Sequence, residues 1–332
     1  MFQVLLRVSR RRVLIAATAF VVVLGLLLWW VLSLGDSAPS GRITFSTGVQ
    51  NGVYQRYGVL LEDALARDLP DVDIDLRQSE GSQENLARVA SGEADFTIAT
   101  ADAVAKYQRE GRPGADRLRG CARLYDDYVQ LVVPRDSRVR KVGDLRGKSV
   151  GVGQEGSGVR IIAERLLLAA GLDPDRDVTP VPLGIDTAPD RMEKGRLDAF
   201  FWSGGLPTSA VEKMSERYPI RLVPLESGLI EEVHTTSDAT SYYRLAVMPP
   251  DAYLQMQGGR PVATMAVANL LVTTDTMDEA MVEGFTRTVI KSRDRIGRTV
   301  HPAQLVDLRT AIYTAPLPLH KGAKRYYSSV KP

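Results

Sequence analysis

The residues able to do chemistry in this chain gather in glycine-bearing loops that carry hydroxyls and amides but few charges. Arg42 to Tyr54 reads RITFSTGVQNGVY, a short strand, a loop and the start of a helix. The amides of Gly48 to Asn51 stand where a helix begins, so they lack intrahelical acceptors and can face an anionic guest. Two later segments repeat the arrangement, Ser79 to Asn85 and Gln154 to Val159, each after a predicted strand and before a predicted helix. With the hydroxyls of Ser46, Thr47, Ser82 and Ser157 they suit a carboxylate better than a cation. The chemistry predicted is binding.

Catalytic and cofactor motifs are poorly supported. His234, His301 and His320 are the only histidines and lack ligand spacing, so no metal site is expected. Ser157 and Ser203 each precede a glycine, but residue 155 is Glu and residue 201 is Phe, which removes the nucleophile elbow. A triad assembled in space stays open, and an exported hydrolase ranks last among the readings. Gly151 to Gly156 fits the dinucleotide fingerprint G-x-G-x-x-G. The next predicted strand, Val178 to Leu183, carries Pro180 and Pro182 and has no acid at its end to hold a ribose hydroxyl. No cofactor is expected. Cys121, the only cysteine, reads as a small buried apolar residue.

The loops need elements to position them, and the pattern alternates strand and helix. Ile43 to Ser46 predicts a strand, and Tyr57, Leu60, Leu61, Ala64, Leu65 and Leu69 recur at helical spacing up to Pro70. Val72 to Arg77 is a second strand, followed by a helix from near Gln83; Asp95 to Thr100 is a third, and Tyr128 to Pro134 a longer one. Lys148 to Gly153 opens a fresh series, with a helix through Ile161, Ile162, Leu166, Leu167 and Leu168 that stops at Gly171. This is an α/β chain with mainly parallel sheets, whose ligands belong outside the carboxyl ends of strands.

The first residues set the address. Arg7, Arg10, Arg11 and Arg12, a cytoplasmic basic segment (1–12), precede an uncharged apolar run over 13–34, near the roughly 20 residues that a bilayer span needs. The run is longer than a secretory h-region and ends without an Ala-x-Ala site, which favours an uncleaved transmembrane anchor over a cleaved signal. A linker (35–41) then leads to an extracytoplasmic region, periplasmic or at the cell surface. From residue 36 on the chain holds 38 basic and 40 acidic residues, so this part is about neutral and lacks the basic footprint of a nucleic-acid binder.

Five segments in order carry a family resemblance: STGVQNGVYQRYG, SEGSQENLARVASGEADFTIATAD, DLRGKSVGVGQEGSGVR, GRLDAFFWSGGLPT and LPLHKGAKRYY. From about Arg42 to Tyr327 the chain resembles the TAXI family of extracytoplasmic solute receptors associated with TRAP transporters. The resemblance implies a periplasmic-binding-protein-like fold of the second type, its lobes formed by 42–134 with 246–332 and by 135–245. The crossings would fall near Val133 to Ser137 and Ala246 to Pro250. It implies a monomeric receptor that closes on a small organic anion, a dicarboxylate or an acidic amino acid, and hands it to separate TRAP-type permease subunits. An anchored receptor that senses its ligand and signals to another envelope protein is the alternative.

Carried over residue by residue, the resemblance implies ligand binding by Thr47, Gly48, Gly52, Val53, Tyr54, Gly81, Ser82, Asn85, Thr100 and Asp102 from lobe one. Lobe two would add Ser157, Gly158, Val159, Trp202, Gly204 and Gly205. Val49, Gln50 and Asn51 replace small residues usual in the family, and Val159 and Arg160 replace a Thr and an acid. Arg160 either clamps a second carboxylate or lies on the solvated face of its helix, and the surface reading is favoured.

Overall fold

A computed structural model describes residues 10–33, 38–50, 52–236 and 238–330. Asn51, most of the cytoplasmic segment, and residues 34–37 of the expected anchor end and linker lie outside the described residues. The chain divides into two compact units, Met1–Pro39 and Ser40–Pro332. The first contains helix α1, Arg10–Ser33, whose Ile15, Phe20, Leu24 and Leu28 side chains are exposed. Among the described residues no helix is long and apolar enough to cross a membrane.

The second unit is built on ten strands joined in one sheet among the described residues. Its first half starts with β1 (Gly41–Ser46), α2 (Val53–Asp68), β2 (Val72–Arg77), α3 (Ser82–Ser91), β3 (Phe96–Thr100) and α4 (Ala101–Arg109). Strands β2, β1 and β3 run parallel. Helix α2 buries Tyr57, Leu61, Ala64 and Leu65 on one stripe, as the spacing predicts. Helix α3 runs between two left-handed glycines, Gly81 at φ +127° and Gly92 at φ +84°.

A long strand, β4 (Leu118–Pro134), then carries the chain into the second half. There follow β5 (Ser149–Gly151), α5 (Gly158–Ala169), β6 (Thr179–Val181), β7 (Ala199–Gly204), β8 (Ile220–Val223), β9 (Tyr243–Met248) and the returning β10 (Val262–Thr274). Strands β6, β5 and β7 are parallel, whereas β4 and β10 are antiparallel to each other and to their other neighbours. Each half is therefore a mixed sheet, with three parallel strands set against antiparallel crossing strands.

The two lobes have separate cores. Phe45, Phe96 and Phe285 stack in the first, Phe96 and Phe285 with centroids 4.1 Å apart. In the second, Val129, Leu131 and Val133 of β4 pack with Ile162, Leu166 and Phe201. The passage between lobes lies in β4 and β10, which pair with each other from Leu118 to Tyr128 and from Ala266 to Thr274. This corrects the expected boundaries. Strand β9, where the return was placed, pairs with Val262–Val267 inside the second lobe, and Met248 and Tyr253 pack in a second-lobe cluster. The chain returns about twenty residues later, through β10 near Ala266 to Asn269, because a paired strand and not the Pro249-Pro250 turn makes the crossing.

Candidate functional site

Between the lobes lies a small, partly enclosed cleft with room for about 60 Å³ of guest. The first lobe supplies Gly48, Val49, Gly52, Val53 and Tyr54 from the β1–α2 loop, Glu80 to Ser82 from the β2–α3 loop, and Thr100 at the end of β3. Gly153, Gln154 and Ser157 to Val159 face them from the β5–α5 loop. Leu183 and Gly184 after β6, with Trp202 and Ser203 on β7, complete the second wall, and Asp127 of β4 adds a carboxylate. These positions follow the α/β rule that ligands sit beyond the carboxyl ends of parallel strands.

The three helix starts differ in what their amides have left to give. At α3, Gln83 and Glu84 donate to the Gly156 carbonyl of the other lobe at 2.9 and 3.1 Å. Gly81 makes this approach possible: a Cβ on it would lie 3.3 Å from Ser157 Cα, and its φ of +127° disfavours any side chain. At α5, the Ser157 hydroxyl caps the helix by accepting from the Arg160 amide at 3.1 Å. At α2 the N-cap is Gly52, which makes no side-chain cap bond. Gly52, Val53 and Tyr54 at the α2 start, and Gly158 and Val159 at the α5 start, all line the cleft, where first-turn amides can meet a guest.

Hydroxyls join these walls. Tyr54 donates to Asn269 Oδ1 of β10 at 2.5 Å and lies 3.3 Å from Ser82 Oγ. Ser82 Oγ in turn accepts from the Thr100 amide at 3.1 Å. Burial pushes the Tyr54 phenol well above its ordinary value, with the Asp127 charge adding to the effect. Trp202 is fixed by its ring N–H, which donates to Thr208 Oγ1 at 3.0 Å.

Of the residues expected at the site, Gly48, Gly52, Val53, Tyr54, Gly81, Ser82, Thr100, Ser157, Gly158, Val159 and Trp202 line the cleft. Five do not. Thr47 is buried and bonds to the Arg77 carbonyl at 3.0 Å. Asn85 is a bracket: its Nδ2 donates to the Thr47 and Ile98 carbonyls, and its Oδ1 accepts from Ser46 and Ser79. Asp102 is fully buried, 3.2 Å from Arg165 Nη1 and accepting from the Tyr243 hydroxyl at 2.7 Å. Gly204 packs under the Trp202 indole, and Gly205 against Pro302. Arg160 bonds Glu164 one turn along its own helix at 2.5 Å, away from the cleft lining.

Sequence reasoning missed Glu80, Asp127, Gly153, Gln154, Leu183, Gly184 and Ser203. No local signal marked Asp127, because Asp126 and Asp127 stand just before the predicted strand Tyr128 to Pro134, where acids are ordinary. The sequence leads to an expectation of almost no fixed charge in these loops. The lining carries two carboxylates, Glu80 and Asp127, and no lysine, arginine or histidine among the described residues. The described residues also hold no group of three or more His, Cys, Asp or Glu able to bind a metal ion.

Comparison with solved structures places this fold among known ones. An ancestral arginine-binding protein bound to arginine matches with a TM-score of 0.51 at 14% identity, over 78% of this chain and 98% of its own. A protein put forward as an L-cystine ABC transporter from Listeria monocytogenes matches at 0.51 and 12%, over 80% and 98%. A protein from Bordetella bronchiseptica RB50 matches at 0.50 and 15%, over 90% and 92%. At these identities the likeness establishes the fold, two-lobed and periplasmic-binding-protein-like. The family model described as NMT1-like family spans residues 45–329, and the chain belongs to that family.

Proposed function

We propose that the chain is an extracytoplasmic receptor that closes two lobes on a small organic acid. The observation that carries this reading is the cleft itself: walls from both lobes and two crossing strands between them. An uncapped helix start inside the cleft offers a carboxylate its donors. The crossing strands act as the hinge, and the residues near Asp127 and Ala268 absorb the rotation; β4 and β10 shift register between Ala268 and Leu270. The neighbours that bind or are put forward to carry amino acids support a solute of that size.

The five ordered motifs favour a TAXI-type receptor that delivers to a separate TRAP-type permease, with α1 holding it at the membrane. A thermal-shift screen of the full-length chain in detergent tests the receptor reading. A solute at about 100 times its dissociation constant should stabilise the chain by roughly 2.7 kcal/mol. Organic acids and amino acids should score and neutral sugars should not; the reverse would refute it. Deleting the gene should then abolish cellular uptake of the solute that scored, and unchanged uptake would refute delivery to a permease.

A further inference from the structure

Strand β4 brings to the cleft a carboxylate that the protein itself does not neutralise. Asp127 is 3% exposed, lines the cleft, and has no hydrogen-bond partner at Oδ1 among the described residues. A buried charge without a partner is costly. The basic groups nearby go elsewhere: Arg123 on the same strand and Arg244 on β9 both pair with the adjacent Asp126. Burial pushes the Asp127 carboxyl up to about 7, opposed by the Asn269 amide and reinforced by Asp126 and Asp102. The other ionisable groups facing it are the phenols of Tyr54 and Tyr125, both raised by burial and by the Asp127 charge. Neither supplies a positive charge.

A second buried polar atom on the cleft is also unpartnered. Ser203 Oγ, on a residue 6% exposed, makes no hydrogen bond among the described residues. It stands opposite Val129 on the neighbouring strand, two residues along from Asp127. An acidic acceptor and a hydroxyl together suit a donor-rich head with positive charge. An ammonium group has three donors and no acceptor.

We propose that Asp127 seats the protonated amine of the solute, so that the guest is an amino acid or a near relative and not a dicarboxylate. Its acid group then falls to the α2 amides, and its amine to Asp127 and Ser203. This rests on the receptor reading above, and it narrows the organic acids that reading allows.

The test uses probe pairs that differ in the amine: L-glutamate with glutarate, L-leucine with 4-methylpentanoate, and L-alanine with propionate. Each is titrated calorimetrically into the full-length chain in detergent at pH 7, in two buffers of different ionisation enthalpy. In any pair that binds, the amine-bearing member should bind about tenfold tighter or better. It should also release protons, because an ammonium beside Asp127 favours the ionised carboxylate. Asp127→Asn should remove both the preference and the release, and Ser203→Ala should weaken the amine-bearing member by a smaller factor.

Equal or tighter binding of the amine-free member, or proton uptake with the amine-bearing one, overturns the inference. So does an Asp127→Asn variant that keeps the preference. If that variant fails to fold, the wild-type comparison and its proton count still decide. Binding confined to amine-free acids leaves the receptor reading standing while the amine seat falls. Binding of no solute at all removes both.

Discussion

At the scale of single residues, Asp127 makes the fold sensitive to pH in a direction opposite to that of a salt-bridged acid. Its carboxyl is raised from 3.8 to about 7 by burial, so the folded chain holds this proton more readily than the unfolded chain does. The stability contributed is full below about pH 4 and is lost as pH rises through about 7. Asp127→Asn has no such titration. Without ligand it should gain on the wild type across that window, by up to about 4 kcal/mol. Chemical denaturation at pH 4 and pH 8 checks this: a stability difference that stays constant between the two would refute it. Sequence made the cleft's glycines and hydroxyls legible because strand, turn and helix fix where such loops go. It misplaced Asn85 and Asp102, since nothing local distinguishes a polar side chain that binds a guest from one that brackets its own backbone or meets an arginine 63 positions away. Asp127 was hidden for the complementary reason. Its importance comes from Arg123 and Arg244 having gone to Asp126, a fact of packing.

At the scale of elements, β4 shows where periodicity fails. The second half, Tyr128 to Pro134, is apolar and easily read, but the first half is LRGCARLYDD, with two arginines and two acids. Those residues are strand because β10 pairs with them along that stretch, from Leu118 to Tyr128. Tertiary pairing overrode a weak local pattern. Helix α1 is the contrary case. Its apolar run is plain in sequence, and the helix extends over Arg10–Ser33 with apolar side chains exposed to whatever surrounds it. On the proposal that α1 holds the chain at the membrane, washing membranes with alkaline carbonate should leave the full chain in the pellet. A variant lacking residues 1–39 but given a cleavable export signal should be released. Release of the full chain would refute the anchor.

At the scale of the whole molecule, what matters is the balance between lobes in contact and lobes apart. The contact includes a buried ion pair outside the cleft lining: Asp102 on α4 in the first lobe meets Arg165 on α5 in the second, with side-chain exposures of 0% and 10%. The Tyr243 hydroxyl donates to the same carboxylate oxygen, and its phenol is raised well above the ordinary value by burial first and the Asp102 charge second. Ile161 of α5 packs beside it into a first-lobe cluster. Desolvation of the two charges offsets much of their attraction, so such a pair adds little net stability while complete. Removing one partner is another matter, because it leaves a buried charge alone, at a typical cost of about 3–5 kcal/mol. On the proposed receptor reading the chain has an escape that a rigid protein lacks, since separating the lobes returns Asp102 to water. Arg165→Ala should therefore open the ligand-free chain, seen as a larger radius of gyration in solution scattering, with a smaller loss of global stability than a core ion pair would show. Apparent affinity should fall in proportion to the closed fraction that remains. Asp102→Leu combined with Arg165→Met replaces the pair by apolar groups and should restore the compact form, because it removes the uncompensated charge together with its partner. An Arg165→Ala chain that scatters as the wild type does, and binds as tightly, would show that the pair only fills space between the lobes and takes no part in setting their balance.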